Sequence, residues 1–365
     1  MDPILSVIIP TRARPEKLRA CLDLLSAQSP STPPFEVLVA LDGPCAASAS
    51  VCQEPRPPLE LLAFEAPRQG IAVAKNAAIE RARGRLLLFI NDDILPDPGF
   101  IAAHAAAHDE LDRTGRAPAM ILGHSPWVLP PDATLFDRLL AHSSMVFFYD
   151  RMITEGGTPL DDRERDWGFR HAWNLNLSLP ATLAREAGGF CPAIANCCYE
   201  DIEFAWRVRQ TADRPVPVLF RPEALAPHDH RYTPSGYLDR EFRLGYSAYG
   251  FAKASPQCAR EVFGIEIDGV DELAYAARFI AHEERAEPRL REAFESLTTL
   301  PANAAGQGDH ASKMLRLLEQ QQLLLKRLIF RKGLIHAAEG GTIEGLFHPA
   351  DALDTALPFK AHARA

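Results

Sequence analysis

The chain lacks the sequence features of a disulfide-bonded, zinc-ribbon or membrane-spanning protein. Its 7 cysteines are scattered and include no CxxC pair, so we expect reduced thiols. No uninterrupted apolar run approaches the roughly 20 residues that a membrane helix needs. Residues 1–10 carry no basic region and no small-residue cleavage site, which favours a strand over a signal peptide. These absences predict a cytoplasmic protein.

Positive charge is also scarce. Lysine and arginine total 39 against 48 aspartate and glutamate residues, which gives a net charge of −9. This balance argues against a nucleic-acid partner, because neutralising phosphates takes clustered cations. A small anionic substrate is compatible with this net charge, since a bound metal and a few arginines can make the electrostatic potential positive at the binding site. The 365 residues, 47% of them hydrophobic, predict a folded core with one large domain and an appendage.

Strands and helices alternate along the first part of the chain. Apolar and β-branched runs predict strands at residues 5–10, 35–41, 59–64 and 86–90. Helical periodicity predicts helices at residues 15–28 and 71–83. This alternation indicates an α/β fold with a mostly parallel central sheet. Such sheets bind ligands at the carboxyl ends of their strands.

Glycine is absent from residues 10–15, directly after the first strand. A sugar-nucleotide pyrophosphorylase needs a glycine-rich loop at this position to hold a triphosphate. A nicotinamide-dependent oxidoreductase needs a GxGxxG motif there. Both classes of enzyme are therefore excluded.

An acidic cluster follows the most apolar strand, as Asn91, Asp92 and Asp93. Carboxylates are costly inside a sheet, so a cluster at a strand end suggests a hard cation or a polar ligand. The alternative is a simple helix cap by Asp93 or Asp97. Taken alone, this motif does not separate the two interpretations.

A second acidic motif, residues 199–203 (Tyr-Glu-Asp-Ile-Glu), opens a predicted helix after a Gly-Gly-Phe turn. Acidic residues in a first turn often only complement the helix dipole. A carboxylate at this position could equally serve as a general base for a hydroxyl nucleophile. Both interpretations stay open at this point.

Two histidines, His228 and His230, follow a predicted strand at residues 216–220. In an extended segment their imidazoles point the same way, and at most one of them needs to face a metal shared with Asp93. The alternative for either residue taken singly is an ordinary surface histidine.

The order and spacing of these motifs resemble the family 2 glycosyltransferases, which have the GT-A fold. The resemblance covers roughly residues 4–250. The matching segments are residues 6–12, 36–44, 70–79, 88–93, 188–190, 199–201 and 228–230. It implies a GT-A catalytic domain at 1–250, with a nucleotide-binding half near 1–115 and an acceptor half near 116–250. Residues 251–365 are then a helical C-terminal extension.

The resemblance also implies functions for individual residues. Asp93 matches the last carboxylate of the family's DxD motif, which ligates Mn²⁺ or Mg²⁺ on the donor diphosphate. His228 matches the family's metal-binding histidine, with His230 as the second choice. Asp201 matches the catalytic base, and Glu200 is grouped with it. The residues expected to bind the donor nucleotide are Pro10, Thr11, Arg12, Asp42, Arg68, Lys75, Asn91 and Asp92.

Two positions depart from the family pattern. Asn91 replaces the first aspartate of the DxD motif, so one carboxylate contact is lost. Leu41 stands where many members carry an aspartate. The second departure leaves the identity of the nucleotide base undefined, while the expected fold is unaffected.

The implied activity is inverting, metal-assisted transfer of a sugar from a nucleotide-diphosphate donor to a hydroxyl acceptor, with an aspartate as general base. The acceptor is expected to be a glycan or another lipid-linked or protein-linked hydroxyl, as in polysaccharide biosynthesis. The alternative is a non-catalytic GT-A-like binding or assembly partner in a glycan biosynthesis complex. That protein would keep the fold while losing Asp93, Asp201 or the histidine, and all three are present.

The tail after about residue 255 is predicted to be almost wholly helical, with breaks near Pro288 and at residues 301–308. One stripe of apolar side chains, from Met314 to Leu328, precedes a group of lysines and arginines. Packing on the catalytic domain is the first interpretation. A homodimer contact, or peripheral contact with the inner face of a membrane, is the alternative.

Overall fold

A computed structural model describes residues 2–116, 118–153, 162–194 and 198–343. Its strands are β1 (Leu5–Thr11), β2 (Phe35–Asp42), β3 (Glu60–Ala66), β4 (Leu86–Ile90), β5 (Met120–His124), β6 (Asn176–Pro180) and β7 (Val218–Leu225). The first seven α-helices are α1 (Pro15–Ser26), α2 (Ala46–Gln53), α3 (Ile71–Arg81), α4 (Phe100–Thr114), α5 (Leu135–Ala141), α6 (Ala181–Glu186) and α7 (Glu200–Val208). The C-terminal part adds α8 (Pro234–Ala254), α9 (Pro256–Phe263), α10 (Val270–Glu283), α11 (Glu287–Glu295) and α12 (Gly308–Ala338).

The seven strands form one sheet in the order β3-β2-β1-β4-β6-β5-β7. Neighbouring strands run parallel except at β6, which is antiparallel to both β4 and β5. The predicted α/β fold class, with its mostly parallel sheet and helical C-terminal region, is confirmed. Within the described residues, no helix combines the length and apolar character needed to cross a membrane.

The sheet forms the main core because its central strands are apolar on both faces. Every residue of β1 and of β4 is buried, as a parallel strand covered by helices on both sides requires. The strand periodicity therefore predicted β4 without a boundary error. The short helices α2, α5 and α6 were missed, since 6–8 residues carry little periodic signal.

The parallel arrangement brings three chain segments to one edge of the sheet. Strands β1, β2 and β4 end at Thr11, Asp42 and Ile90, and their parallel pairing places those carboxyl ends side by side. The segment that follows β7 joins this edge through backbone hydrogen bonds, including Leu95 N to Pro227 O at 2.8 Å. Motifs far apart in sequence therefore meet here.

The C-terminal helices pack through a close crossing of α8 and α12. A Cβ atom added to Gly245 would lie 1.8 Å from the carbonyl oxygen of Phe330, and one added to Gly333 would lie 2.0 Å from that of Phe242. Glycine is thus required on both helices at the crossing. The expected boundary at residue 250 falls inside α8, and the division into two domains stays a proposal.

Candidate functional site

The acidic loop that follows β4 is held by a contact with the last residue of β1. Asp92 is fully buried, and its Oδ2 accepts a hydrogen bond of 2.5 Å from the hydroxyl of Thr11. Arg14 donates to the same carboxylate, with Nε 3.3 Å from Oδ2. The adjacent Asp93 is also buried, at 2% exposure, and faces the segment that follows β7. Asn91 is half-buried between β4 and this loop.

Asp93 meets both histidines of the segment after β7. Nε2 of His228 lies 3.3 Å from Oδ1 of Asp93, and Nδ1 of His230 lies 3.3 Å from Oδ2. One candidate ligand atom from each of the three residues lies within 4.8 Å of the others. The expectation that at most one imidazole needs to face a metal shared with Asp93 stays a prediction. The two rings lie nearly parallel, with centroids 5.4 Å apart, and both reach the carboxylate.

Main-chain hydrogen bonds hold the histidine segment in place. His228 N donates to Pro126 O at 2.8 Å, and Asp229 N donates to Asp93 O at 2.8 Å. Lys17 of α1 adds a bond of 2.7 Å from its ammonium to the carbonyl oxygen of Asp229. The segment is thus tied to two loops and a helix, so the histidine positions are set by the backbone.

The chemistry of these three residues fits a divalent cation. Within the described residues, Oδ1 of Asp93 and the Nδ1 atoms of His228 and His230 are buried without a hydrogen-bond partner. Burial alone would raise the pKa of Asp93, but the charges of His228 and Arg14 outweigh it and hold that pKa well below its usual range. An ionised, incompletely bonded carboxylate beside two imidazoles is a set of donors suited to a metal ion.

Arg14 is a member of this site that the sequence patterns did not reveal. Its Nη1 lies 2.8 Å from Oδ2 of Asp93, and its Nη2 bonds Asp92. One signal was available: Arg14 stands at the N-terminus of α1, where the helix dipole disfavours a cation. A positive residue there is slightly unfavourable unless carboxylates lie near it.

The predicted nucleotide-binding residues cluster at the ends of β1 and β2. Nη1 of Arg12 lies 4.0 Å from Oδ2 of Asp42, whose Oδ1 accepts a bond of 3.2 Å from Gly70 N. Arg68 packs against Gly43, where an added Cβ would lie 2.9 Å from the Arg68 Cβ. Pro10 lies within β1, paired with Ala40. These polar groups lie at the carboxyl edge of the sheet, as predicted. That they bind the donor nucleotide stays a prediction.

Lys75, predicted to contact the donor, lies in the interior instead of on an open surface. It is 2% exposed, and its Nζ is 3.4 Å from Oε1 of Glu200 and 4.7 Å from the centroid of the Phe190 ring. The neighbouring Asn76 bonds both the N–H and the carbonyl of Phe190, at 2.7 and 2.8 Å. These contacts tie α3 to the turn before α7.

The proposed base, Asp201, stands in the first turn of α7. Its Oδ1 accepts a bond of 2.8 Å from Ile202 N. Burial, followed by the charge of Glu200, raises the pKa of Asp201 to about 7, against the opposing charge of Lys75. Oε2 of Glu200 has no hydrogen-bond partner within the described residues. A carboxyl that titrates near neutrality suits a group that takes up a proton.

Aromatic side chains line one side of the histidine pair and were also missed. The Trp127 ring lies 4.7 Å from His228, and the Tyr232 ring lies 4.4 Å from His230. Phe147 connects them to Trp173, at 5.3 Å. Isolated aromatics spread over more than 100 residues carry no local signal, which is why the sequence did not reveal this wall. The sequence also predicts that acceptor choice depends on loops at 154–170 and 193–198, and both lie partly outside the described residues.

Comparison with known proteins identifies the family that has this mostly parallel sheet and these motifs. The glycosyl transferase family 2 model matches residues 6–174. Glycosyltransferase AglE of Haloferax volcanii is 31% identical over 247 residues, which is 67% of this chain and 72% of that protein. The chain belongs to the family 2 glycosyltransferases. The predicted family is confirmed.

Validoxylamine A glucosyltransferase of Streptomyces hygroscopicus subsp. jinggangensis is 27% identical over 248 residues, 63% of this chain. The match spans 57% of that relative, a little over half its length.

Two solved structures are also similar. S. aureus TarS 1-349 aligns with a TM-score of 0.49 and 14% identity, covering 92% of this chain and 90% of that one. The mannosyltransferase PcManGT of Pyrobaculum calidifontis, solved with GDP-Man and Mn²⁺, gives a TM-score of 0.47 and 19% identity, covering 93% and 87%.

Proposed function

We propose that this protein transfers a sugar from a nucleotide-diphosphate donor to a hydroxyl acceptor, with metal assistance and inversion at the anomeric carbon. The observation that carries the proposal is the grouping of Asp93, His228 and His230, with one ligand atom from each within 4.8 Å of the others. This group lies at the carboxyl edge of the sheet, where α/β folds bind nucleotides. Family membership supports the same class of reaction.

The metal proposed for this group is Mn²⁺. Asp93 would supply an oxygen and the two histidines would supply nitrogens. Mg²⁺ prefers an all-oxygen octahedral set, so two imidazoles favour Mn²⁺. When bound, the ion would stabilise the negative charge that develops on the departing diphosphate as a Lewis acid. The donor complex of PcManGT, which contains Mn²⁺, is consistent with this assignment for a related fold.

The chain's own residues would carry out the remaining steps. Asp42, with Arg12 and Arg68 beside it, would hold the base or ribose of the nucleotide. Asp201 would accept the proton of the acceptor hydroxyl as its oxygen bonds the anomeric carbon and the bond to the diphosphate breaks. The raised pKa of Asp201, about 7, supports this function, because a stronger base takes up the proton more readily.

The acceptor is proposed to be a glycan or another carrier-linked hydroxyl, as expected in polysaccharide biosynthesis. The half-buried aromatic wall formed by Trp127, Phe147 and Tyr232 supports a sugar ring as part of the acceptor, since such rings offer flat apolar faces. Two apolar residues of α12, Met314 and Leu317, are exposed. They support a homodimer contact or a peripheral membrane contact as the proposed function of the C-terminal region. A location in the cytoplasm, at the inner face of the membrane, is proposed with them.

A donor screen tests the proposal. Thermal melting is measured with UDP-, GDP- and dTDP-linked sugars, each with and without Mn²⁺, because a ligand that binds the native state raises the melting temperature. One nucleotide sugar should stabilise the protein, and more strongly with Mn²⁺. The product formed with that donor should show an inverted anomeric configuration by NMR. Retention of configuration, or full activity in excess chelator, would contradict the mechanism.

A further inference from the structure

The guanidinium of Arg14 contacts the carboxylate oxygen that a metal ion at the proposed site would also contact. Its Nη1 is 2.8 Å from Oδ2 of Asp93, and Nδ1 of His230 is 3.3 Å from that same oxygen. Arg14 also bonds Asp92, through Nη2 and through Nε at 3.3 Å. A cation that belongs to the chain therefore stands between the two carboxylates of the acidic loop.

Local structure alone does not favour this position for an arginine. Arg14 precedes the first turn of α1, where the helix dipole repels positive charge. The preceding residue, Ala13, has a φ of 55°, in the left-handed region where an alanine is strained. The two carboxylates offset this unfavourable placement. The other oxygen of Asp93, Oδ1, makes no hydrogen bond within the described residues and lies 3.3 Å from Nε2 of His228.

A divalent ion and a guanidinium cannot share Asp93 without strong repulsion. The ion gains two imidazoles that the guanidinium cannot use as donors, so it has the better set of contacts. A displaced Arg14 would stay near Thr11 and Arg12, at the end of β1 where the nucleotide is proposed to bind. Its planar fork of N–H donors matches the oxygens of a phosphate.

We propose that Arg14 is an internal counter-cation of Asp92 and Asp93, that a divalent ion displaces it, and that the freed guanidinium then binds the donor's diphosphate. The inference rests on the proposed function, because it takes the metal and the donor from it. It adds a thermodynamic consequence: the metal and a nucleoside diphosphate strengthen each other's binding, since each favours the displaced position of Arg14.

The test is a titration of the full chain with Mn²⁺, with or without UDP or GDP. The electron paramagnetic resonance signal of the free ion measures how much Mn²⁺ is bound. In Arg14→Gln, Mn²⁺ alone should bind about tenfold more tightly than in the wild type, a typical size for one coupling. The mutual strengthening of Mn²⁺ and nucleotide should fall by a similar factor, to the part that direct contact between the ion and the diphosphate supplies. Arg19→Gln is the matched control, since Arg19 lies on the same helix and pairs with the exposed Glu54. It should behave like the wild type.

A melting experiment guards against a folding defect. Arg14→Gln leaves the buried Asp92 with one cation fewer, so its melting temperature without metal should fall. Mn²⁺ should then raise it by more than it raises that of the wild type, because the ion replaces the missing charge.

Two outcomes separate this inference from the proposed function. If Mn²⁺ binds to the wild type but not to Asp93→Asn, and Arg14→Gln binds it no more tightly, the displacement of Arg14 is wrong while the metal site stands. If neither the wild type nor Arg14→Gln binds Mn²⁺ with or without nucleotide, the metal part of the proposed function fails, and this inference fails with it.

Discussion

Nζ of Lys75 lies 3.4 Å from Oε1 of Glu200, so an ammonium from α3 neutralises the carboxylate next to the proposed base. The two residues are 125 positions apart in the chain. Their contact places one positive and one negative group beside Asp201, with opposite effects on its pKa. Burial has the largest effect on the pKa of the proposed base, and this pair, which neither sequence motif contains by itself, adjusts it.

This relationship predicts the pH dependence of transfer. Asp201 must be ionised to accept a proton, and its pKa is raised to about 7, so kcat/KM should rise with pH and level off above that value. Glu200→Gln removes a charge that raises the pKa and should move the rise to lower pH. Lys75→Met should move it to higher pH. A pH–rate profile checks all three, and identical profiles would contradict the electrostatic coupling.

The raised pKa of Asp201 also predicts that the free energy of unfolding falls as pH rises, while the transfer rate rises. A raised pKa means that the native state prefers protonated Asp201, so its contribution to the free energy of unfolding is complete below the ordinary value near 3.8 and declines as pH rises to about 7. Asp201→Asn cannot ionise and should lack this decline. Urea unfolding at several pH values between 4 and 8 measures the difference. A wild type and variant that respond alike would show that the folded protein does not raise the pKa of Asp201.

Asp201→Asn should also separate chemistry from binding. Loss of a general base typically costs about 10²–10⁴-fold in rate, while donor binding at the proposed nucleotide site should be kept. Steady-state kinetics and calorimetric titration of the donor measure the two effects. The control is Asp213→Asn, an exposed aspartate beyond the end of α7. Equal losses of transfer and of donor binding would mean that Asp201 is not the base.

The paired geometry of His228 and His230 predicts that both bind the metal. Each ring nitrogen lies 3.3 Å from one oxygen of Asp93, so either alanine variant should weaken Mn²⁺ binding. The loss should be at least the roughly 10–100-fold that follows removal of an outer partner of a metal ligand. His142→Ala, at an exposed position, is the control. If one histidine variant binds Mn²⁺ with normal affinity, only the other histidine and Asp93 are metal ligands.

The glycine crossing of α8 and α12 predicts a stability effect away from the site. Gly245→Ala places a methyl group within 1.8 Å of a backbone oxygen, so the helices must separate, at a cost of about 1–3 kcal/mol. Gly250→Ala lies on the same helix with no atom within 4 Å and should stabilise it, by about 1 kcal/mol, through helix propensity. Denaturant unfolding compares the two. Similar stability of both variants would show that the crossing tolerates separation.

The sequence by itself determined the order of the strands and helices and the position of the acidic and histidine motifs along the chain. Those features follow from short-range patterns: apolar runs set β1 and β4, and the period of a helix sets α1 and α3. The family resemblance then related Asp93, Asp201 and the histidine segment to one reaction. The parallel pairing of the sheet confirmed the predicted fold class.

Only the tertiary structure decided which side chains meet. Both histidines reach Asp93 because the backbone of their segment is bonded to two other loops, which no spacing rule contains. Arg14 joins the acidic loop, and Lys75 pairs with Glu200, through contacts 79 and 125 residues apart in sequence. Such contacts depend on how the sheet stacks its strand ends. A local pattern can supply the charged groups, but the fold decides which of them neutralise each other.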